Sequence, residues 1–250
     1  MTVVVRTHGG LGNQIFQIFF ARLYAQTLDT DYAELHDTNY KHKFDRSLEI
    51  HPAPAAITKR QHLISDLRIP KLLLRLHLRE TEKITVFSDT FLDGYFQGAS
   101  DYKSFPDALI EAQIRGLRKE LNIRCSDSNQ STLYHIRLGD FFTNHQDAKA
   151  HALNRIEELK PESTIISNQE EIFLEDFVQD KLRGKGCMLH STAGYTSEDV
   201  LRLMSKYGRI VTNNSTLALW ASVLGSCHTE FSDSRLAAVH DRFFRLVNAR

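Results

Sequence analysis

The sequence predicts an α/β protein made of two Rossmann-like halves. Short runs rich in β-branched residues alternate with helical patterns along the chain, and the polar stretch from Cys125 to Ser131 interrupts this alternation without any apolar periodicity of its own. A chain of 250 residues is long enough to bury a core on each side of such a linker. We therefore predict two domains, residues 1–127 and residues 128–250.

The elements follow one another in the order expected for parallel sheets covered by helices. The first half is predicted to contain the strand TVVVRT, an apolar helix through about Leu28, the strands TVFSD and FLDGYF, and the helix DALIEAQIRGLRKEL. In the second half, helices near residues 148–159, 171–182 and 198–206 separate the strands TLYHIRLG, STIISN, GCMLHS and RIVTNN. Because ligands of such sheets bind beyond the carboxyl ends of the strands, the polar residues at these ends are candidates for a site.

Composition excludes several classes of function. Basic and acidic residues number 31 each, so the overall charge gives no reason to expect nucleic acid as a partner. The three cysteines are far apart and lack CxxC spacing, which argues against a disulfide framework and a zinc cluster. No run approaches the roughly 18 uncharged apolar residues of a membrane span, so we expect a cytoplasmic protein. The basic, leucine-rich segment 68–80 is either an ordinary amphipathic element or a face that contacts a membrane or an anionic acceptor.

The first polar strand end is HGGLGNQ, which precedes a strongly apolar helix. A glycine turn at a helix N-terminus presents backbone N–H groups and the positive end of the helix dipole, and this suits a phosphate or a sugar. Gly10 and Gly12 begin the dinucleotide fingerprint GxGxxG, but Ile15 occupies the position of its third glycine. The alternative is a turn that needs glycine only for its backbone angles.

A second polar strand end is HIRLGD. Alternate residues of a strand share a face, so His135 and Arg137 are predicted to point the same way, while Ile136 and Leu138 enter the core. The planar guanidinium of arginine suits a pyrophosphate, and a histidine beside it can bind a ribose hydroxyl or a phosphate oxygen. The alternative is a structural ion pair between Arg137 and Asp140.

Two further strand ends carry polar residues. Asn214, Ser215 and Thr216 lie between a strand and an apolar helix, where they serve as a helix N-cap, as a phosphate site, or as both. Asn168 ends the strand STIISN. The sequence DTD at residues 29–31 resembles a metal-binding DxD, but a solvated turn at the end of a helix is the favoured interpretation.

Five blocks of this sequence, in the same order, resemble the α-1,2-fucosyltransferases of glycosyltransferase family 11. The blocks are HGGLGNQIFQ, DGYFQ, HIRLGDF, IISNQEE and the closing stretch from Ser197 to Gly225. The resemblance implies a GT-B fold, in which an acceptor-binding domain (1–127) and a GDP-sugar-binding domain (128–250) face an interdomain cleft. It also implies metal-independent, inverting transfer of L-fucose from GDP-fucose to a galactose-containing glycan, with an expected α-1,2 linkage.

The same resemblance implies roles for individual residues. Arg137 would stabilise the leaving phosphate beside His135, Asp140 would orient the site, and Asn13 would line the cleft near the fucose. The remaining residues expected to bind the donor are Gly10, Gly12, Ser167, Asn168, Asn214, Ser215 and Thr216. We expect no metal and no cofactor beyond the donor substrate, and as partners GDP-fucose and a saccharide acceptor. Peripheral contact with a membrane or a lipid-linked glycan is left open.

The chain departs from the family pattern at two places. Gln169 replaces a second acidic residue, and the run from Ala218 to Trp220 is less aromatic than in the family. These departures leave the acceptor and the linkage more open than the donor, and the general base is open between Asp140, His8 and Asp93. The alternatives are a GDP-sugar transferase of another linkage and a non-catalytic nucleotide-sugar or glycan-binding module. The acceptor pocket is expected in loops 39–59 and 141–150.

Overall fold

The structure is a computed structural model that describes residues 1–36, 83–86, 89–124, 131–138 and 144–249. The chain divides into two compact units, Met1–Gln113 and Ile114–Arg250. The predicted domain boundary after residue 127 lies outside the described residues, and so do the basic segment 68–80 and Asp140. The predicted acceptor loop 39–59 and residues 125–130 of the predicted linker are likewise not described. Of the second predicted acceptor loop, 141–150, residues 145–150 belong to a helix instead of a loop.

Unit 1 contains a sheet in the order β2-β1-β4-β3, in which β1 runs parallel to both of its neighbours and β3 runs antiparallel to β4. Its strands are β1 (Thr2–Thr7), β2 (Asp31–His36), β3 (Lys83–Val86) and β4 (Asp89–Leu92). Helix α1 (Leu11–Thr27) joins β1 to β2, and a 3₁₀ helix (Ala99–Tyr102) and helix α2 (Asp107–Glu120) follow β4. The division between the units falls within α2.

Helix α1 is buried on nearly all sides, as its apolar sequence predicts. Ala21 and Ala25 pack with strand residues of β1 and with Leu92, and the ring of Phe20 stacks on Phe96 at a centroid distance of 4.2 Å. Of its 17 residues only Gln26 and Thr27 are exposed, so this helix lies in the core of the unit. Its first turn is therefore held firmly at the carboxyl end of β1.

Strand β2 was not predicted. Asp29, with a φ of +48°, lies in the turn that ends α1, as expected for DTD. Asp31, however, already begins β2, which pairs with β1 over six residues. Its sequence, DYAELH, has no apolar run from which a strand could be predicted. Charged residues are typical of edge strands, because the outer side of such a strand stays exposed.

Unit 2 contains a parallel sheet in the order β7-β6-β5-β8-β9. Its strands are β5 (Thr132–Ile136), β6 (Thr164–Ser167), β7 (Met188–Leu189), β8 (Arg209–Thr212) and β9 (His228–Phe231). Its helices include α3 (His145–Glu157), α4 (Glu170–Phe173), α5 (Asp176–Gly184), α6 (Ser197–Met204), α7 (Thr216–Gly225) and α8 (Ser234–Asn248). The predicted α/β class with parallel sheets is confirmed.

Side-chain caps set the start of several helices in unit 2. Asn144 accepts a hydrogen bond from the backbone of Asp147 at 2.8 Å, and Thr196 forms a capping box with Asp199. The helix predicted over residues 171–182 is instead two helices, α4 and α5, which are separated by Leu174 and Glu175. Strand β9 and helix α8 had no counterpart in the prediction.

Each sheet has a point at which the strand order changes direction. In unit 2 the chain moves from β5 outward through β6 to β7 and then continues on the other side of β5 with β8 and β9. In unit 1, β2 lies on one side of β1 and β4 on the other. Such a switch point leaves a crevice beyond the carboxyl ends of two adjacent strands, here β5 and β8 in unit 2 and β1 and β4 in unit 1. In the described part of the chain, no helix is both long and apolar enough to cross a membrane.

Candidate functional site

The HGGLGNQ turn of unit 1 is held by two glutamines of α1. The side chain of Gln14 donates to the carbonyl of Gly9 at 2.8 Å, and the backbone N–H of His8 donates to Oε1 of Gln17 at 2.9 Å. The amide of Gln17 also contacts Nδ1 of His8 at 3.1 Å. Both glutamines are fully buried. They satisfy the polar groups of a tight buried turn, a role that was not predicted for them.

Gly9 is the residue of this turn that needs to be glycine. Its φ is +79°, and a Cβ placed on it would lie 2.9 Å from the side-chain nitrogen of Asn13. Gly10 has ordinary extended angles and forms the N-cap of α1 without a side-chain hydrogen bond, and Gly12 is buried in the first turn. The interpretation based on backbone angles therefore applies to Gly9, whereas donor binding by Gly10 and Gly12 stays a prediction.

Asn13 meets the DGYFQ block. Its Oδ1 accepts a hydrogen bond from the side chain of Gln97 at 2.9 Å. In the same region, the ring of Tyr95 lies 4.9 Å from the ring of His8. Two of the blocks that resemble the fucosyltransferase family thus converge at the carboxyl ends of β1 and β4.

An ion pair lies at the same switch point. Arg6, on β1, donates to Asp93, directly after β4, at 2.9 Å, and each side chain is 21% exposed. Of the proposed general bases in this unit, Asp93 is thus paired with a cation, and His8 is buried against Gln17. Neither contact was predicted, because nothing in the sequence links Arg6 to a carboxylate 87 residues away.

In unit 2, the ends of three neighbouring strands are tied together around Arg137. The guanidinium of Arg137 donates to the carbonyl of Asn214 at 3.3 Å, and Asn213 donates its side-chain amide to the carbonyl of Arg137 at the same distance. On the other side, Oδ1 of Asn168 accepts from the backbone N–H of Leu138 at 2.9 Å. The structure therefore brings Arg137 and Asn214 together at the β5/β8 switch point and places Asn168 beside them.

The predicted alternation along β5 is confirmed for its core side. Ile136 and Leu138 belong to one apolar cluster with helices α3, α4 and α5. His135 is also buried, with 7% of its surface exposed, and its Nδ1 has no hydrogen-bond partner among the described residues. Burial first, and the charge of Arg137 second, lower the pKa of His135 to about 3. At neutral pH this imidazole is uncharged, so the positive charge here is that of Arg137.

The N-terminus of α7 lies directly after the end of β8. The hydroxyl of Ser215 accepts a hydrogen bond from the backbone N–H of Ala218 at 3.2 Å, so this residue is the N-cap of α7. Thr216 is the first residue of the helix. The positive end of the α7 dipole therefore lies beside Arg137 and Asn214. The role of Ser215 and Thr216 toward a donor stays a prediction.

Four buried polar atoms at the carboxyl ends of four adjacent strands of this sheet have no hydrogen-bond partner in the described part of the chain. They are Nε2 of His190 after β7, Oε1 of Gln169 after β6, Nδ1 of His135 on β5, and Oδ1 of Asn213 after β8. Buried polar atoms normally have partners, and leaving one without costs about 1–3 kcal/mol. The carboxyl ends of these four strands are thus suited to a polar ligand that extends along several of them.

The remaining predicted residues have local roles. The hydroxyl of Ser167 accepts a hydrogen bond from the backbone of Gln169 at 3.1 Å. Asp140 lies outside the described residues, so its pairing with Arg137 and its catalytic role stay predictions. In the described ranges, no group of three or more His, Cys, Asp or Glu side chains is arranged to hold a metal ion.

Comparison with known proteins gives structural neighbours alone. No family model matches the chain, and no curated protein matches it. Solved structures similar to it include a mutant of FUT1 from Arabidopsis thaliana in complex with GDP (15% identity, 94% of this chain and 71% of that chain, TM-score 0.49). Two others are POFUT1 in complex with GDP (10%, 92% and 97%, 0.46) and the α-1,6-fucosyltransferase NodZ co-crystallised with GDP (13%, 89% and 92%, 0.42). At these identities and scores, the residues of this chain must carry any assignment of function.

Proposed function

We propose that this protein is a glycosyltransferase that moves L-fucose from GDP-fucose to a hydroxyl of a galactose-containing glycan, with inversion and an α-1,2 linkage. The observation that carries this proposal is the position of Arg137 at the β5/β8 switch point, next to the N-terminus of α7 and to the buried, unpartnered Nδ1 of His135. A fixed cation, a helix dipole and an imidazole nitrogen that can donate a hydrogen bond are what a sugar diphosphate requires.

The chemistry of sugar transfer explains why these groups are needed. Breaking the bond between C1 of the sugar and the phosphate oxygen leaves negative charge on the diphosphate. Preorganised donors stabilise this charge without having to reorient during the reaction. Arg137 and the α7 N-terminus would supply the positive potential, and we therefore propose a reaction that needs no metal ion. Neutral His135 would contribute a hydrogen bond but no charge.

Unit 1 would bind the acceptor and the fucose. Asn13, held by Gln97 at the carboxyl ends of β1 and β4, is the group we assign to the sugar, together with the backbone of Gly10 and Gly12. Asp140, His8 or Asp93 would accept the proton of the acceptor hydroxyl.

The proposal is tested by incubating the protein with a panel of GDP- and UDP-sugars and measuring nucleotide release, with and without a chelator and candidate acceptors. We expect turnover of GDP-fucose that is selective and unaffected by the chelator. Turnover of another sugar nucleotide would change the donor, and inhibition by the chelator would contradict the metal-free mechanism. Binding of GDP-fucose without turnover on any acceptor would favour a nucleotide-sugar or glycan-binding module instead.

A further inference from the structure

We propose that Gln169 and His190, at the ends of β6 and β7, bind the edge of the donor's guanine base, and that the ring of Tyr195 is its stacking surface. This inference rests on the proposed function, which supplies a guanine nucleotide as the ligand. It assigns a role to Oε1 of Gln169, which as an acceptor cannot bind the acceptor oxygens of a diphosphate, and to Nε2 of His190 at the next strand end.

Glu170 links the two segments that carry Gln169 and His190. The carboxylate of Glu170 accepts hydrogen bonds from the hydroxyls of Ser191, at 2.6 Å, and Thr192, at 2.7 Å. These bonds tie the start of α4 to the loop after β7. Gln169 directly precedes Glu170, and His190 directly precedes Ser191, so the two side chains start from adjacent points of the sheet edge.

The electrostatics of Glu170 agree with this proximity. Burial alone would raise the pKa of its carboxyl, but the hydrogen bonds from Ser191 and Thr192, together with the neighbouring His190, leave the pKa lowered. Glu170 is therefore occupied in holding the loop. The buried Oε1 of Gln169 and Nε2 of His190 remain without partners among the described residues.

Guanine complements these two atoms. Its exocyclic amino group donates hydrogen bonds, and its O6 accepts them. Oε1 of Gln169 can accept from the amino group, and His190 can donate to O6 when its Nε2 carries the proton. One acceptor and one donor on neighbouring strand ends thus match one edge of the base.

The location fits a nucleoside whose diphosphate lies beside Arg137. In a doubly wound sheet the phosphates occupy the switch point and the nucleoside extends along the neighbouring strand ends. Strands β5, β6 and β7 are consecutive in the sheet, and two strand spacings amount to about 10 Å. A ribose and a base together can cover the distance from the end of β5 to the end of β7.

Tyr195 supplies an aromatic surface at the same place. Its ring lies 6.0 Å from the ring of His190 in an edge-on arrangement, and 47% of the residue is exposed. Its backbone N–H donates to the carbonyl of Thr192 at 2.9 Å, which holds the residue in the turn that Glu170 anchors. Stacking on such a ring stabilises any base and gives affinity without selectivity.

The test is calorimetric titration of the full chain with GDP, IDP and inorganic pyrophosphate, because IDP lacks the amino group that Gln169 would bind. We expect the wild-type chain to bind GDP about five- to tenfold more tightly than IDP, the effect of one hydrogen bond. Gln169→Ala should remove this preference and leave pyrophosphate binding unchanged. Gln169→Glu keeps an acceptor oxygen and should retain the preference.

Two more variants separate recognition from stacking and from general damage. Tyr195→Ala should weaken GDP and IDP alike, whereas Asn154→Ala, which removes an exposed amide of α3, should change none of the three affinities. Thermal unfolding of each variant confirms that it is folded. If Gln169→Ala keeps the full preference for GDP over IDP, the base binds elsewhere and this inference is wrong, while the proposed function stands. A wild-type chain that binds no GDP would overturn both.

Discussion

The side-chain amide of Gln97 donates a hydrogen bond to Oδ1 of Asn13 over 2.9 Å and so joins the segment after β4 to the first turn of α1. The two residues are 84 positions apart in the sequence. On its other side, the amide nitrogen of Asn13 leaves no room for a side chain on Gly9. Asn13 is therefore positioned from two directions at the carboxyl ends of two central strands, as a residue that binds a sugar needs to be.

The contact between Asn13 and Gln97 should appear as a coupling energy. We expect Asn13→Ala and Gln97→Ala each to destabilise the protein, and the double variant to be less destabilised than the sum by about 0.5–1.5 kcal/mol, because either change removes the same hydrogen bond. Urea unfolding of the four proteins measures this. The exposed pair Gln26 and Gln113, whose side chains are also 2.9 Å apart, is the matched control and should show a smaller coupling. Strict additivity at Asn13 and Gln97 would contradict the geometry.

Gly9 and Gly116 should respond to alanine in opposite ways. At Gly9 the left-handed backbone costs a side chain about 1–2 kcal/mol, and the new Cβ also displaces Asn13, so Gly9→Ala should destabilise the protein by at least that amount. At Gly116, inside α2, a new Cβ would meet no neighbouring group of the described residues within 4 Å, so Gly116→Ala should be neutral or stabilising by about 0.5–1 kcal/mol. Equal losses of stability in the two variants, measured by urea unfolding, would exclude backbone strain as the reason for Gly9.

The fold class was predictable because each buried strand and helix has a recognisable apolar pattern, and these patterns alternate along the sequence. Strands β2 and β9 were missed because DYAELH and HTEF are short, polar edge strands without a continuous apolar run. The division at residue 113 falls within α2, a position that no break in helical periodicity marks. Edge strands and unit boundaries depend on tertiary contacts, to which a local pattern does not respond.

The candidate site was predictable only in part, for a similar reason. Arg137 and Asn214 were found from their positions at strand ends, and the structure places them in contact. Gln14 and Gln17 could have been recognised as structural, since polar residues inside an otherwise apolar helix need buried partners. Gln169 was visible only as a departure from the family pattern. Its place beside the segment that carries His190 follows from the pairing of β6 with β7, which a local sequence pattern does not indicate.

The burial of His135 should make stability depend on pH. Its pKa is lowered from 6.5 to about 3 in the folded protein, so below pH 6.5 the unfolded chain binds a proton that the folded chain does not. Stability is therefore complete above pH 6.5 and is lost progressively as the pH falls toward 3. Between pH 7 and pH 5 the loss from this residue amounts to about 2 kcal/mol. Urea unfolding should show that His135→Gln loses about that much less stability over this interval than the wild type.

The pKa of His135 also depends on the charge of Arg137. Because the guanidinium is the second cause of the lowered pKa, Arg137→Ala should raise the pKa of His135 in an NMR titration, although burial should still keep it below its ordinary value. If the pH dependence of stability is the same in His135→Gln and in the wild type, then folding does not lower the pKa of His135. The imidazole would in that case bring a second positive charge to the site only below about pH 6.5.

Arg137 should be the most sensitive residue for catalysis. Removing one preorganised donor to a developing negative charge typically costs about 10²–10³ in rate, and we expect Arg137→Ala to lower kcat on GDP-fucose by that factor. The loss should fall on kcat more than on KM, since the charge on the diphosphate grows as the bond to C1 breaks.

Arg137→Lys keeps the charge but loses the planar pair of donors, so it should recover only part of the rate. Arg183→Ala makes the same change of charge at a side chain that is 70% exposed, and it should leave turnover unchanged. Near-normal turnover by Arg137→Ala would mean that other groups, such as the N–H groups at the start of α7, stabilise the leaving diphosphate on their own.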